Sequence, residues 1–163
     1  MDITTAFNIL MYFEGGGKLT NIKGDKGGLT KYGIAHASHP DVDIANLTEA
    51  QARTIYENEY WNPSGCANLK PELHYIHFDT AVNCGVRAAI KLLQAAAGVE
   101  TDGIMGPDTI QASQKVSVEY YAAMRIAYYK ALVGKDSSQA KFLQGWTNRV
   151  NAIIALYKKG ALV

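Results

Sequence analysis

The stretch FEGGGKLTNIKGDKGGLTKYGIA, residues 13–35, breaks the helical pattern of the chain with glycines and short β-capable segments. Gly15 is suited to end the helix that precedes it, and Thr4 or Thr5 is suited to cap the start of that helix. On either side of the KGDKGG turn, KLTNI and LTKYGIA predict a small hairpin or an irregular loop. The helix is indicated by apolar residues at the spacing i, i+3, i+4 and i+7: Ala6, Ile9, Leu10 and Phe13.

Turn and cap signals divide the rest of the chain into further helices. Thr48 with Gln51 three residues later is a capping-box pattern. Residues 72–97 predict one interrupted helix or two helices joined near Gly85. The sequence therefore predicts a mainly α protein with one small β-hairpin or glycine-rich loop after the first helix. The remaining predicted boundaries are Pro63 and Gly65, Gly98, Pro107, Ser117 and Leu132, and Ser137 or Ser138 to about Lys159.

Length and composition narrow the class of protein. A chain of 163 residues that is 48% hydrophobic can form a single domain over residues 1–163, and its nearest approach to an internal boundary is a weak one around residues 85–91. The net charge of +1, without a basic stripe, argues against nucleic acid as a partner. No stretch approaches the roughly 18 apolar residues of a transmembrane segment. The N-terminal segment lacks the basic region of a signal peptide, so we expect synthesis in the cytoplasm.

Cysteine and histidine usage indicates neither a disulfide framework nor a metal centre. Cys66 and Cys84 are two thiols in a chain of this size, and free thiols are favoured over a bridge. The four histidines form two i, i+3 pairs, which together with the cysteines could be read as a zinc site, but no metal-ligand spacing motif supports that interpretation. We expect no metal and no cofactor.

Glu14 is the first residue whose position suggests chemistry. It lies in the last turn of the first predicted helix, where the helix dipole disfavours a negative charge. Phe13 and Ile9 are its neighbours, and shielding by them would also favour the protonated carboxyl. A protonated carboxyl is what general acid catalysis on a glycosidic oxygen requires. The alternative, a surface glutamate at a frayed helix end, fits the residue alone equally well.

Asp25 and Thr30 extend the pattern around Glu14. Glycoside hydrolysis commonly uses two carboxyl groups on opposite sides of the sugar, and a hairpin would fold Asp25 back toward Glu14. The Thr30 hydroxyl could hold a water molecule. An aspartate between glycines is also ordinary turn chemistry, which is the favoured interpretation of Asp25 by itself. The three residues in one loop system are more specific than any one of them.

Taken together, the motifs resemble a known family. The pattern E-G-G followed by D-x-G-G-x-T-x-Y-G-I, at residues 14–16 and 25–34, resembles glycoside hydrolase family 108, the bacterial and phage N-acetylmuramidases. Residues 91–160 are similar to the C-terminal peptidoglycan-binding segment of that family, within the same domain rather than as a separate one. The other similar segments are YWNP at 60–63, HFDTAVNCG at 77–85, LLQAAAGVETDGIMGPDT at 92–109 and FLQGWTNRV at 142–150.

The resemblance implies a lysozyme-like helical fold and hydrolysis of the β-1,4 bond between N-acetylmuramic acid and N-acetylglucosamine in peptidoglycan. It assigns Glu14 as the catalytic acid, with Asp25 and Thr30 as its catalytic partners. One departure is visible, because the family commonly has an aromatic residue after E-G-G and this chain has Gly17. A packing or stacking contact beside the acid is therefore expected to be missing or replaced.

Several side chains outside that motif are candidates for binding the glycan. Tyr32 in the motif loop, with Tyr120 and Trp146, could stack on sugar rings, although aromatics at helical spacing are more often core. Asn83 could bond an N-acetyl group or cap a helix break. Arg149 could line the cleft or tie helices together, whereas Asp79 is expected to be structural.

The resemblance also places the protein biologically, as an endolysin-type monomer that binds peptidoglycan glycan strands. It would act on the cell wall after release, and for a phage protein a holin would open the membrane. Two alternatives stay open. One is a non-catalytic peptidoglycan-binding or secretion-assisting module, and the other is a lytic transglycosylase, which forms an anhydro product without water.

Overall fold

The computed structural model describes residues 1–21 and 28–162 and confirms a mainly helical chain with a small sheet after the first helix. None of the helices in these ranges is long and apolar enough to cross a membrane. Contacts divide the chain into two compact units, here called the N-terminal unit (Asp2–Glu59) and the C-terminal unit (Met1 with Tyr60–Val163). The helices are α1 (Ile3–Glu14), α2 (Glu49–Tyr56), α3 (Pro71–Cys84), α4 (Val86–Ala97), α5 (Pro107–Ser113), α6 (Val118–Lys135) and α7 (Ala140–Lys158).

Helix α1 begins two residues earlier than the sequence suggests. Its N-cap is Asp2, not Thr4 or Thr5, because the Asp2 carboxylate accepts a hydrogen bond of 2.8 Å from the Thr5 N–H. The predicted apolar face is also shifted, because Ile9 and Phe13 are only half-buried. The buried face consists of Ala6, Phe7, Leu10 and Met11.

The small sheet has the order β1-β2-β3, with β1 at Thr20–Asn21, β2 at Leu29–Lys31 and β3 at Ile34–Ala35. Both pairs of strands are antiparallel, and Thr30 in the central strand pairs with Thr20 on one side and Ala35 on the other. The connection from β2 to β3 has only two residues, Tyr32 and Gly33, and both have positive φ. Positive φ at both positions is the requirement of a type I′ hairpin turn.

Helix α2 confirms the capping box. The Thr48 hydroxyl accepts from the Gln51 N–H, and the Gln51 side chain accepts from the Thr48 N–H in return. Beyond Tyr56 the chain continues as a wider π-helical turn, Glu57–Trp61, where we expected regular helix. The N-terminal unit buries Phe7 against Tyr56, with ring centroids 5.6 Å apart.

The C-terminal unit confirms the predicted breaks, but two boundaries differ: α6 continues to Lys135 rather than Leu132, and α7 begins at Ala140, after a 3₁₀ turn at Ser137–Gln139. Residues 72–97 form two helices, α3 and α4, joined at Gly85 (φ 89°), and Gly98 (φ 72°) ends α4. Pro107 starts α5, and Ser117 caps α6.

Cys66 and Cys84 are free thiols. Burial raises the pKa of the Cys66 thiol to about 12, so it stays protonated.

A buried histidine lies at the centre of the C-terminal unit. His77 is completely buried, with Nε2 3.0 Å from the Ser64 carbonyl and Nδ1 2.8 Å from the Tyr121 hydroxyl. Burial lowers the pKa of His77 to about 4, although the bond to the Ser64 carbonyl favours the protonated form. The ring is therefore neutral in the folded protein at neutral pH.

We expect this histidine to make stability depend on pH. Between the ordinary histidine pKa of 6.5 and about 4, the unfolded chain binds a proton that the folded chain does not. The free energy of unfolding should therefore fall with decreasing pH, by about 1.4 kcal/mol per pH unit from this group. Urea unfolding of the wild type and of His77→Gln at pH 7.5 and 5 measures the difference. The slope should be smaller in His77→Gln and unchanged in His36→Gln, whose ring is exposed, and equal slopes in all three proteins would contradict the assignment.

Candidate active site

Glu14 is the last residue of α1 and carries the first candidate catalytic carboxyl. Phe7, Leu10 and Glu14 are spaced three or four residues apart, so they share one face of the helix, and the first two are buried. Glu14 itself is exposed. The helix-end position agrees with the sequence analysis, but the shielding that we expected from Phe13 and Ile9 is not achieved.

The two glycines after Glu14 are required by the backbone. Gly15 (φ 79°) and Gly16 (φ 81°) are both left-handed, and the N–H groups of both point to the Met11 carbonyl at the end of α1. A Cβ on either residue would meet no atom of residues 1–21 and 28–162 within 4 Å. These described residues thus leave the space beside the two glycines open, while the left-handed backbone turns the chain sharply away from the helix.

The third glycine, Gly17, is required for a different reason, which is the space that a side chain would need. A Cβ on Gly17 would lie 2.1 Å from Cε1 of Tyr32, so the Tyr32 ring lies where a side chain at position 17 would be. An aromatic residue at position 17 is what the resemblance leads one to expect. The structure replaces it with a ring that comes from the β2–β3 turn.

Tyr32 is held by its backbone as well as its ring. It is the only non-glycine residue with positive φ (53°) in the described ranges. The Tyr56 hydroxyl donates a hydrogen bond of 3.0 Å to its carbonyl, and a Cβ on Gly33 would lie 2.6 Å from that hydroxyl oxygen. Strained backbone of this kind persists where surrounding contacts fix it, and it is common at functional sites.

Of the other two candidate catalytic residues, Thr30 is described and Asp25 lies outside the described residues. Thr30 is half-buried in β2, and its hydroxyl donates to the Gly28 carbonyl at 3.3 Å. The hydroxyl oxygen keeps its capacity to accept a hydrogen bond from water. Thr30 and Tyr32 therefore share one hairpin.

Two candidate substrate-binding residues, Asn83 and Arg149, meet at Asp79 in the C-terminal unit. The Asn83 amide donates to the Asp79 backbone carbonyl at 2.8 Å. The Arg149 Nε and Nη2 both bond the Asp79 carboxylate, at 2.9 and 2.7 Å from Oδ1. Arg149 thus ties α7 to α3, and Asp79 is structural as expected.

The Asp79 carboxylate has a second partner, which the sequence did not reveal. Arg125 on α6 is fully buried and bonds Oδ2 of Asp79 at 2.7 Å. Its Nε also donates to the Tyr129 hydroxyl at 2.9 Å. Arginine in a helix interior carries no local signal of burial, because Asp79 lies 46 residues away in the sequence. An arginine among the tyrosines of α6 was the only available hint.

The aromatic candidates divide between surface and core. Tyr120 is exposed, whereas two other aromatic residues that could be considered for stacking, Tyr121 and Trp61, belong to the core. Trp146 is half-buried and stacks on Tyr129 with ring centroids 4.8 Å apart. Phe142, which the sequence did not single out, also stacks on Trp146, with ring centroids 5.7 Å apart, and its side chain is exposed. Its signal was the i, i+4 spacing to Trp146.

No cluster of three or more His, Cys, Asp or Glu side chains suited to a metal ion occurs within residues 1–21 and 28–162. The buried histidines instead contact backbone groups. His74 Nε2 lies 2.8 Å from the Leu69 carbonyl, and His77 contacts the Ser64 carbonyl.

Comparison with known proteins adds two sequence families and a solved structure. Residues 7–85 match the family described as Glycosyl hydrolase 108, and residues 88–151 match the family described as Predicted Peptidoglycan domain. A solved structure, titled "Structure of Brucella abortus SagA", is 27% identical, with 97% of this chain and 95% of that chain covered and a TM-score of 0.78. None of the curated proteins matches. The two matched segments adjoin where the sequence places its weak boundary.

The contact between Gly17 and Tyr32 generates a prediction about stability. Gly17→Ala forces a Cβ against the Tyr32 ring, so we expect a loss of about 1–3 kcal/mol in the free energy of unfolding. Gly145→Ala is the matched control, because a Cβ there meets no atom of the described residues within 4 Å outside the helix's own backbone, and alanine is favoured in the interior of α7. The double variant Gly17→Ala/Tyr32→Ala should have almost the same free energy of unfolding as Tyr32→Ala alone, because the ring that clashes with the new Cβ is gone. If thermal unfolding shows that the losses of the two single variants add up in the double variant, the contact is ruled out.

The Asp79 cluster generates a second prediction. Asp79→Asn leaves the buried Arg125 charge without its counterion, so we expect a loss of about 3–5 kcal/mol in urea unfolding. Asp136→Asn is the control, since Asp136 is exposed and asparagine caps a helix equally well. Replacing Asp79 by Leu together with Arg125 by Met should cost less than Asp79→Asn alone. A larger loss in that pair would show that the ions themselves contribute net stability.

Proposed function

The chain belongs to glycoside hydrolase family 108 and carries a peptidoglycan domain, and from that premise we propose that it is an N-acetylmuramidase. It would hydrolyse the β-1,4 bond between N-acetylmuramic acid and N-acetylglucosamine, with Glu14 as the general acid. The observation that supports this choice is the position of Glu14. An exposed carboxyl at the end of α1 is followed by two left-handed glycines, and the described part of the chain leaves the space beside these glycines open.

The proposed reaction begins with protonation of the glycosidic oxygen by Glu14 as the bond breaks. Because Glu14 is exposed in the protein alone, the bound glycan itself must exclude water from the carboxyl and so favour its protonated form. Asp25 would stabilise the developing positive charge or activate a water molecule. Thr30 would position that water through its hydroxyl oxygen.

The stereochemical outcome depends on the gap between the two carboxyl groups. A gap of about 6.5–9.5 Å leaves room for water and goes with inversion, whereas about 5–5.5 Å goes with retention through a covalent intermediate. Thr30 as a water-binding residue favours direct attack by water. Nuclear magnetic resonance of the first-formed anomer distinguishes the two routes.

Glycan strands of peptidoglycan are the proposed substrate. Tyr32 is the proposed stacking residue near the acid. Its ring lies against Gly17, and Gly17 is three residues after Glu14 in the sequence. Tyr120 and Trp146 would stack on sugar rings, while Asn83 and Arg149 would contribute polar contacts in the C-terminal unit. The resemblance to phage enzymes extends the proposal to a monomeric endolysin that reaches the wall from the cytoplasm after a holin opens the membrane.

We expect Glu14→Gln to lower peptidoglycan hydrolysis by about 10²–10⁴-fold, because glutamine cannot supply the proton. The measurement is digestion of purified peptidoglycan, with the products identified by mass spectrometry and the fold of the variant checked by circular dichroism. Glu49→Gln is the control, an exposed glutamate in the same unit.

The products decide between the proposal and its alternatives. Reducing N-acetylmuramic acid ends from the wild type, and almost none from folded Glu14→Gln, support the muramidase. Anhydro ends would identify a lytic transglycosylase. Wall binding without any release by the wild type would leave only a non-catalytic binding module.

A further inference from the structure

The C-terminal unit contains a cleft to which the proposed chemistry assigns no role. It has a volume of about 530 Å³ and lies between α4 and the loop before α5. We call it the α4 cleft and define it by Pro63, Val86, Arg87, Ile90, Ile104 and Met105. Clefts of this size with apolar walls and a few fixed polar groups are the usual form of small-ligand sites.

A buried glutamine holds the loop that forms one wall of the cleft. Gln94 is 1% exposed, and its amide nitrogen donates to Asp102 Oδ1 at 2.7 Å and to the Ile104 carbonyl at 3.0 Å. Its side-chain oxygen accepts from the Gly103 N–H at 2.9 Å. The α4 cleft is therefore preformed, because a single buried side chain fixes three consecutive residues of its wall.

One cation, Arg87, lines the cleft, and a second, the exposed Lys91, lies beside it on α4. Arg87 and Lys91 lie one turn apart on α4, and a Cβ on Gly103 would be 2.8 Å from Arg87 Cγ and 3.3 Å from Lys91 Cε. Arg87 is also held by a hydrogen bond from Nη2 to the Asp102 carbonyl at 3.3 Å. Among the described residues that line the cleft, the carboxylate is that of Asp102, which already accepts from Gln94 and from the Ile104 N–H. Arg87 and the adjacent Lys91 together outnumber this carboxylate, so the cleft and its edge offer one net positive charge to a ligand.

The apolar side of the cleft includes an exposed residue on this fixed loop. Ile104 is 67% exposed, although its backbone is bonded at both its N–H and its carbonyl. Met105 next to it packs closely on Gly65, where a Cβ would lie 2.5 Å from Met105 Cγ. A large aliphatic side chain held in solvent by a rigid loop, beside an adaptable methionine, is typical of a binding surface.

These features specify a ligand with small apolar groups and a carboxylate. Within peptidoglycan, the sugar chain is hydroxyl-rich and the peptide stem carries methyl side chains and free carboxylates. We propose that the α4 cleft binds the peptide stem of peptidoglycan, with alanine methyl groups against Ile104 and Met105 and a stem carboxylate at Arg87. The proposal rests on the proposed action on peptidoglycan. It agrees with the match of residues 88–151 to a predicted peptidoglycan domain.

Isothermal titration calorimetry with a synthetic stem pentapeptide, L-Ala-γ-D-Glu-L-Lys-D-Ala-D-Ala, tests the proposal on the full chain. We expect the wild type to bind it, and Arg87→Gln and Ile104→Ser each to weaken binding by about tenfold or more. Arg87→Lys should retain part of the affinity. Lys135→Gln, which removes an exposed cation at the end of α6, is the matched control and should bind like the wild type.

Three results would overturn the stem-binding proposal: no heat of binding with the wild type, unchanged affinity in Arg87→Gln and Ile104→Ser, or displacement of the pentapeptide by chitohexaose, a glycan without stems. Circular dichroism confirms that each variant is folded. Glu14→Gln should bind the pentapeptide like the wild type. If Glu14→Gln hydrolyses peptidoglycan like the wild type and stem binding is intact, the assignment of Glu14 is refuted and the α4 cleft proposal stands. If Glu14→Gln is inactive but Arg87→Gln binds the pentapeptide like the wild type, the assignment of Glu14 stands and the α4 cleft proposal is refuted.

Discussion

The Asp79 carboxylate, bonded by two guanidinium groups, is the constraint on which the C-terminal unit depends. The side chains of Asp79 and Arg125 have no exposed surface, so the Arg125 charge depends on Asp79, and the Asp79 charge depends on Arg125 and Arg149. Burial acts to lower the pKa of Arg125, but the attraction and hydrogen bond of Asp79, together with the influence of Tyr129 and Cys84, outweigh it and the net shift is upward. The cluster joins α3, α6 and α7. Because one carboxylate faces two arginines, the cluster keeps a net positive charge, and the Nη2 of Arg125 is buried without a hydrogen-bond partner among the described residues.

That cluster continues into the aromatic surface. Arg125 donates to the Tyr129 hydroxyl, and the Tyr129 ring stacks on Trp146, on which Phe142 also stacks. The orientation of a half-buried tryptophan is thereby linked to a buried ion pair through one tyrosine. A flat, partly exposed aromatic surface requires such support, because exposed rings without it sample several rotamers. In the N-terminal unit, the contact with Gly17 has a comparable role, because it fixes the half-buried ring of Tyr32.

The sequence was sufficient where structure is decided by local interactions. The capping box at Thr48, the break at Gly85 and the start of α5 at Pro107 each depend on residues within one helical turn, so their patterns predicted them. Asp2 was missed because three residues compatible with capping, Asp2, Thr4 and Thr5, occur close together. The buried face of α1 was predicted wrongly because the helix offers two overlapping apolar faces, and the one with Phe7 and Met11 is the buried one.

The remaining features depend on partners that are distant in sequence. Arg125 finds Asp79 across 46 residues, and Gly17 is explained only by the ring of Tyr32. Gln94 resembles any polar residue on an amphipathic helix until the loop that it holds is known. The candidate catalytic residues Glu14 and Thr30 do not depend on distant partners in this way. They occur in a compact sequence motif, and that motif rather than the fold made them candidates.

The exposure of Glu14 bears on how such an enzyme would select its substrate. A carboxyl that solvent reaches needs the bound polymer to displace water, and the free energy for this comes from contacts with parts of the substrate away from the reacting bond. Chitin and peptidoglycan share β-1,4-linked N-acetylated sugars, so contacts with the glycan alone distinguish them poorly. The peptide stem is the part that chitin lacks. If the α4 cleft binds that stem, contacts in the segment that matches a peptidoglycan domain would supply both the binding free energy and the selectivity, and the residues around Glu14 would need to recognise only the sugar chain.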